Sequence, residues 1–239
     1  MSSAGLPPIC ILAGGLGTRL GSMVRDTPKP LLEVAGAPFL EHQLRLLAAH
    51  GAERVVLCVG YLGERVEGLI GPERFGIAVS YSYDGPRPIG TLAAIRRALP
   101  LLGERFLVLY GDTYLRLDYR AAVLAWKESR WPAMMTVLRN EGRWGVSNAV
   151  FDGARVTAYD KRRPDRGMRW IDYGLGGLTS EVIGRAGSAS DLADLYRELA
   201  GAGELFGFEA TERFYEIGTP QALEETSAFI GELGPGRSR

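Results

Sequence analysis

Residues 9–17, Ile-Cys-Ile-Leu-Ala-Gly-Gly-Leu-Gly, constrain this chain more than any other stretch. Ile9 to Ala13 is an unbroken apolar run with the length of one strand buried on both faces. Gly14-Gly15-Leu16-Gly17 stops it abruptly. Glycines there let the backbone turn sharply and aim bare N–H groups at an anion. Thr18 and Arg19 add a hydroxyl and a fixed positive fork, and further on Lys29 stands between Pro28 and Pro30. A glycine loop backed by two cations suits a ligand with several phosphates.

Three other readings compete for the loop. A solvated turn would not need two rigid residues around one lysine. A Rossmann dinucleotide loop needs G-x-G-x-x-G, and Leu20 occupies its third glycine position. A P-loop needs a Gly-Lys pair, which this chain lacks.

The first half alternates apolar strands with helices. Strands are expected over 9–13, 54–59, 77–83 and 105–110, and helices from Phe39 to Gly51, over 62–70 and over 91–99, the last ending at Pro100. That order predicts an α/β fold with a mostly parallel sheet covered on both faces. Ligands of such sheets bind beyond the strands' carboxyl ends, where Gly14-Gly15, Gly60, Asp84-Gly85 and Gly111-Asp112 fall. The second half reads as a helix over 118–130, a strand over 133–139 and a hairpin of 146–151 and 155–160 around Asp152-Gly153. Short pieces at 168–172 and 176–178 follow, then a helix over 190–200, strands at 205–208 and 214–217, and a helix over 220–230 opened by Thr219 and Pro220. The tail from Gly234 is expected to fray. One domain is expected over 1–239, in two halves, 9–115 and 116–232, the second reading as a lid for a second substrate.

Lys+Arg and Asp+Glu number 28 each, so no net field recruits nucleic acid or a membrane surface. The N-terminus has neither the basic start nor the apolar core of a signal peptide, so a cytoplasmic protein is expected. Cys10 and Cys58 sit in apolar strand-like runs and read as small buried thiols.

Leu12-Ala13-Gly14-Gly15-Leu16-Gly17-Thr18-Arg19-Leu20, followed by Thr27-Pro28-Lys29-Pro30-Leu31-Leu32, resembles the signature of the sugar-1-phosphate nucleotidyltransferases, which make NDP-sugars. The resemblance runs from Ile9 to about Ile230. It implies a Rossmann-like three-layer sandwich of the GT-A-like nucleotidyltransferase kind, with a small sugar-binding β/lid region. It also implies that 9–115 is the nucleotide-binding half and 116–232 the sugar-phosphate-binding half. It implies nucleotide contacts from Leu12, Ala13, Gly14, Gly15, Gly17, Thr18, Arg19 and Lys29, from Asp84, Gly90 and Thr91 in the base-binding stretch, and from Asp112. Thr91 also reads as a helix N-cap. Arg19, Lys29 and Asp112 would be the catalytic set.

Gly111-Asp112 after an apolar strand resembles the family's Mg²⁺-binding aspartate. Glu216 stands where most of the family has the second, aspartate ligand; the Glu form resembles the heptose-1-phosphate guanylyltransferase-like branch. Tyr159-Asp160-Lys161 resembles the Glu-Lys-Pro element whose lysine meets the sugar phosphate. Trp144-Gly145-Val146 and Asp172-Tyr173-Gly174 resemble sugar-contact elements, implying Gly145, Asp172 and Tyr173. The implied partners are an NTP, GTP favoured, and a sugar 1-phosphate, with homo-oligomerisation left open. A non-catalytic NDP-sugar-binding subunit is the rival class, and the joint presence of Arg19, Lys29, Asp112 and Lys161 argues against it. A molybdopterin nucleotidyltransferase shares the Ala-Gly-Gly start and is disfavoured by Thr18-Arg19-Leu20 and by Pro28-Lys29-Pro30.

Overall fold

The computed structural model describes residues 5–85 and 87–233, which leaves out Pro86 of the base-binding stretch, the first four residues and the tail from Gly234. In chain order its first half comprises β1 Ile9–Leu12, β2 Glu33–Val34, β3 Ala37–Pro38, α1 Phe39–Ala49, β4 Arg54–Val59, α2 Gly63–Ile70, β5 Glu73–Arg74, β6 Ile77–Tyr83, α3 Thr91–Leu102 and β7 Arg105–Tyr110. The second half comprises β8 Thr113–Tyr114, α4 Tyr119–Ser129, β9 Ala133–Arg139, β10 Ala149–Phe151, β11 Val156–Tyr159, β12 Trp170–Thr179, α5 Ser180–Arg185, α6 Leu192–Ala202, β13 Leu205–Ala210, β14 Tyr215–Glu216 and α7 Pro220–Leu233.

The centre of the sheet is parallel. β1 lies between β4 and β7, with Ile9 opposite Val55 on one side and Leu107 on the other. β6 continues the parallel set beside β4. The second half extends this same sheet, because β12 runs antiparallel beside β7 and β9 beside β12. β13 then pairs parallel to β9, giving ten strands in all.

The unbroken apolar runs divide between two cores. Ile9 and Ile11 pack with Leu57, Leu107 and Leu109 under α1, α2 and α4, whereas Cys10, Val56, Cys58 and Val108 face α3, α5 and α6. Side chains alternate along a strand, so a run with no polar position puts apolar groups on both faces. Cys10 and Cys58 are buried free thiols with their sulfurs 3.4 Å apart. A third cluster, with Leu20, Val34, Phe39, Tyr114, Ile217, Leu223 and Ile230, seats α7 against the segments that frame the strand ends.

Several local expectations change. α3 continues past Pro100 to Leu102. A proline in the last turn removes one helical bond, and the buried Leu102 docks the extra turn in the second core. The two short pieces around Asp172 are one strand, β12, whose register shifts between Asp172 and Gly176 while Gly174 takes φ 108°. Such a bulge re-aims side chains without ending the strand. Thr91 is not a cap: Gly90 holds that place, and the Thr91 hydroxyl is engaged elsewhere. The Asp152-Gly153 hairpin forms, with Asp152 Oδ1 accepting from Ala154 N at 2.9 Å and Arg155 N at 2.8 Å.

Trp126 on α4 is fully buried, and its ring lies so close over Gly177 of β12 that a Cβ there would meet it at 2.7 Å. Trp126→Ala is expected to lower the unfolding free energy by about 3–5 kcal/mol in urea denaturation. A loss below about 1 kcal/mol would contradict the packing of α4 on the sheet.

Candidate nucleotide and phosphate site

The site lies off the carboxyl ends of β1, β4, β6 and β7. A cavity of about 250 Å³ opens there, lined by Leu12, Ala13, Gly14, Gly15 and Gly17 from the glycine loop, Asp84 and Gly90-Thr91 after β6, and Lys29, Tyr110 and Asp112. Two glycines are set by close approach rather than by turning. A Cβ on Gly14 would sit 2.5 Å from Asp84 Oδ2, and one on Gly111 would sit 2.8 Å from the Leu12 carbonyl oxygen. The ends of β1 and β7 therefore meet backbone to backbone, and the Asp84 side chain packs directly on the Gly14 backbone.

Lys29 occupies a short 3₁₀ turn, Lys29–Leu31, right after Pro28. Its side chain is only 10% exposed, and its Nζ donates to Asp112 Oδ2 at 2.6 Å. A lysine this buried needs a charged partner. Asp112 supplies it from the turn after β7. That turn is pinned by Gln43 of α1, whose Nε2 donates to the carbonyls of Tyr110 at 3.0 Å and Thr113 at 2.6 Å. Sequence reasoning missed Gln43. The available signal was a polar residue on the apolar face of α1, between Phe39-Leu40 and Leu44-Leu47.

Asp112 and Glu216 come together through backbone pairing. β14 runs antiparallel to β8, with Glu216 opposite Thr113, and Ile217 N donates to the Asp112 carbonyl at 3.0 Å. Arg19 does not line the cavity. Gly17, at φ 64°, turns the chain into a 3₁₀ segment over Thr18–Val24, and this carries Thr18 and Arg19 outward. The Arg19 guanidinium reaches Gly218, where a Cβ would lie 2.9 Å from Arg19 Nη2 and 3.1 Å from Glu216 Oε2. Arg19 thus belongs to the Glu216 side of the site, beyond the Lys29–Asp112 pair.

The sugar-side residues separate. Lys161 Nζ lies 5.1 Å from the centroid of the Tyr110 ring, at the edge of the cavity. Asp172 accepts from Gly174 N at 3.0 Å and from the Tyr159 hydroxyl at 3.2 Å. Burial pushes its carboxyl above the usual range, and the nearby Lys161 charge opposes that shift. Tyr173 departs from expectation. It is buried in the first core and its hydroxyl donates to the Arg116 carbonyl at 3.0 Å. Adjacent strand residues face opposite ways, so Asp172 and Tyr173 do not share a subsite. Gly145 also lies apart, in a cleft between loops 141–147 and 164–169. Asn140 folds its loop back by donating to the Gly145 carbonyl at 2.8 Å.

Asp84 is buried, its Oδ1 has no hydrogen-bond partner, and burial raises its pKa above the ordinary carboxylate range while Arg97 opposes this. A carboxylate left desolvated and half-unpaired in a cavity is placed for a ligand's donors.

The structure thus brings a glycine-lined cavity at the carboxyl edge of a parallel sheet together with a buried lysine–carboxylate pair in its wall. Over residues 9–199 the chain matches the MobA-like NTP transferase domain, and it belongs to that family. It is 29% identical over 217 residues to the D-glycero-alpha-D-manno-heptose 1-phosphate guanylyltransferase of Campylobacter jejuni subsp. jejuni serotype O:2, covering 88% of this chain and 94% of that one. It is 31% identical over 235 residues to the N-acetylmuramate alpha-1-phosphate uridylyltransferase of Neisseria meningitidis serogroup B, covering 92% and 97%. The crystal structure of HddC from Yersinia pseudotuberculosis complexed with GMP-PN superposes with a TM-score of 0.77 at 25% identity, over 94% of this chain and 100% of that one. Within its family the chain is a sugar-1-phosphate nucleotidyltransferase.

The raised Asp84 pKa carries a sign. A carboxyl whose folded pKa exceeds its unfolded one contributes stability at low pH that is lost as pH rises through the folded value. Asp84→Asn removes this loss, so the variant's Tm should gain on the wild type as pH rises above the ordinary carboxylate value of about 4. A pH-independent difference between the two melting curves would show that Asp84 is not desolvated.

Proposed function

We propose that the protein transfers the NMP group of an NTP, GTP in preference, to a sugar 1-phosphate, and that the sugar is D-glycero-α-D-manno-heptose. The products are GDP-heptose, for surface polysaccharide, and pyrophosphate. The observation that carries the reading is the Lys29–Asp112 contact, made between residues 83 apart in the chain at the mouth of the glycine-lined cavity.

In the reaction a phosphate oxygen of the sugar 1-phosphate forms the new bond to the α-phosphorus, and the bond from that phosphorus to the β-phosphate oxygen breaks. The attacking group is already an anion, so no general base is required, and neither His42 nor His50 lines the cavity. What remains is to hold two anions together and to neutralise the charge that spreads over the transferring phosphoryl. The Gly14–Gly17 backbone amides would cradle the triphosphate, with Arg19 approaching from the Glu216 side. Lys29 would turn from Asp112 to the α-phosphate as charge builds. Lys161, at the Tyr110 edge, would take the sugar phosphate.

The donor set suits Mg²⁺. Glu216 on β14 pairs opposite Thr113, the residue after Asp112, and among the described residues no group of three or more His, Cys, Asp or Glu is arranged to hold a metal. Mg²⁺ takes one or two carboxylates and completes its shell with phosphate oxygens and water. Asp112 and Glu216 would hold it, and when bound it supplies charge neutralisation on the triphosphate.

Asp84 supports guanine. Its carboxylate offers two acceptors, and guanine carries two adjacent donors, N1–H and the N2 amino group, on one edge. Uracil presents one N–H between two carbonyls, which leaves one carboxylate oxygen facing a carbonyl. Among the described residues no helix is long and apolar enough to cross a membrane. The NTP supply and two reduced thiols support a cytoplasmic location.

A matrix of NTPs against sugar 1-phosphates, scored by pyrophosphate release, tests the pairing; the fastest release is expected from GTP with the heptose 1-phosphate. Release with UTP and N-acetylmuramate 1-phosphate instead would favour the other relative's chemistry. Asp84→Asn should move the GTP-to-UTP ratio of kcat/KM toward UTP by about 10- to 100-fold, because an amide offers one acceptor and one donor. Lys29→Met is expected to lower kcat by about 10²–10³ while the protein stays folded. Near-normal turnover would remove Lys29 from the chemistry.

A further inference from the structure

The turn that carries Lys161 is tied to the nucleotide side of the cavity by a chain of charged contacts, and none of its links has a role in the reaction above. Asp160 Oδ1 accepts from the backbone N–H groups of Arg162 and Arg163, each at 2.8 Å, which closes the turn around Lys161. The Arg162 guanidinium reaches across to α6, donating to both carboxylate oxygens of Asp194 at 3.1 Å and to Asp191 Oδ2 at 3.3 Å. Arg197 braces the same group from Asp194, at 3.2 Å. The other oxygen of Asp191 accepts from Thr91 Oγ1 at 3.1 Å, and Thr91 lines the nucleotide cavity. The neighbouring Ser190 carbonyl accepts from Leu92 N at 2.9 Å and packs against Gly90 so closely that a Cβ there would lie 2.4 Å away.

We propose that Arg162 and Asp191 are positioning residues that set the Lys161 ammonium against the sugar phosphate by fixing its turn to the nucleotide loop at Thr91. Three features carry this. First, the contacts are too exposed to be stability devices: the Arg162 side chain is 58% exposed and that of Asp191 43%, and ion pairs at such sites contribute little to folding. Second, the planar fork of Arg162 meets two carboxylates, which fixes orientation and not only proximity. Third, Lys161 is itself solvent-exposed, with its Nζ over the Tyr110 ring and its charge felt by Asp172. Among the described residues no hydrogen bond or ion pair fixes its head, so its direction depends on the backbone that presents it. The Thr91 end lies where the nucleotide loop enters α3, so the device connects the two substrate sites. An error of about 1 Å in such a group is enough to cost a large factor in rate.

The inference rests on the reading of Lys161 as the sugar-phosphate lysine, and the test separates the two. The probes are GTP and the heptose 1-phosphate, replaced by whichever pair turns over fastest in the substrate matrix. Lys161→Met should raise KM for the sugar 1-phosphate. Arg162→Gln should raise that KM about fivefold or more, as expected for coupled neighbours, with KM for the NTP and the melting temperature unchanged. Arg162→Lys should recover only part of the loss, since it keeps the charge without the fork. Asp191→Asn should resemble Arg162→Gln, because asparagine caps α6 as well as aspartate does and only the charge is removed. Placed in the Lys161→Met background, Arg162→Gln should add nothing further. An equal KM increase in both backgrounds, or no increase in the single variant, overturns the positioning role while leaving Lys161 in place. An unchanged KM in Lys161→Met overturns the reading of Lys161 and this inference with it.

Discussion

The site depends on one buried ion pair. Lys29 is nearly inaccessible to solvent, and an ammonium in that position is tolerated because Asp112 meets it at 2.6 Å. Each partner is placed by a separate part of the fold. Pro28 and the 3₁₀ turn deliver the lysine, and the end of β7 with its Gln43 clamp delivers the carboxylate. The pair keeps a cation and an anion within reach of one cavity before any substrate arrives. Preorganised charge of this kind lowers a barrier without reorganisation at the moment of reaction.

The same economy of space governs the strand ends. Gly14 takes the Asp84 carboxylate against its backbone, and Gly111 lies against the Leu12 carbonyl, where β1 and β7 meet backbone to backbone. The result is a cavity walled by glycine-loop backbone on one side and by one under-satisfied carboxylate on another. In the proposed reaction the desolvated Asp84 would select a ligand able to satisfy it, with stability of the empty fold given up in exchange, a trade common at functional sites.

Much of this was legible from residues alone, where burial on both faces leaves a continuous apolar run. Arg54–Val59, Ile77–Tyr83, Arg105–Tyr110 and Ala133–Arg139 fold with the limits their composition suggests. The strand-end positions of the glycine loop, Asp84 and Asp112 followed from that order, and the Pro-flanked Lys29 lines the same cavity as that loop. Three kinds of feature were not legible. β12 looked like two fragments because Gly174 and Gly176 interrupt it, and only the bulged register joins them. β8 and the six-residue α5 are too short to show a period. Gln43 and the Arg162–Asp191 tie act across 67 and 29 residues of sequence, so their partners appear only in the folded chain. Tyr173 misled because a motif read as neighbouring letters ignores that strand neighbours point apart.

The most direct measurement of the central claim is a crystal structure of this chain with a non-hydrolysable GTP analogue. The account predicts the triphosphate on the Gly14–Gly17 amides, the α-phosphate within hydrogen-bond distance of Lys29 Nζ, Asp112 on the same phosphate's other side, and the guanine edge on Asp84. A triphosphate seated away from Lys29 and Asp112, with their ion pair intact, would contradict it.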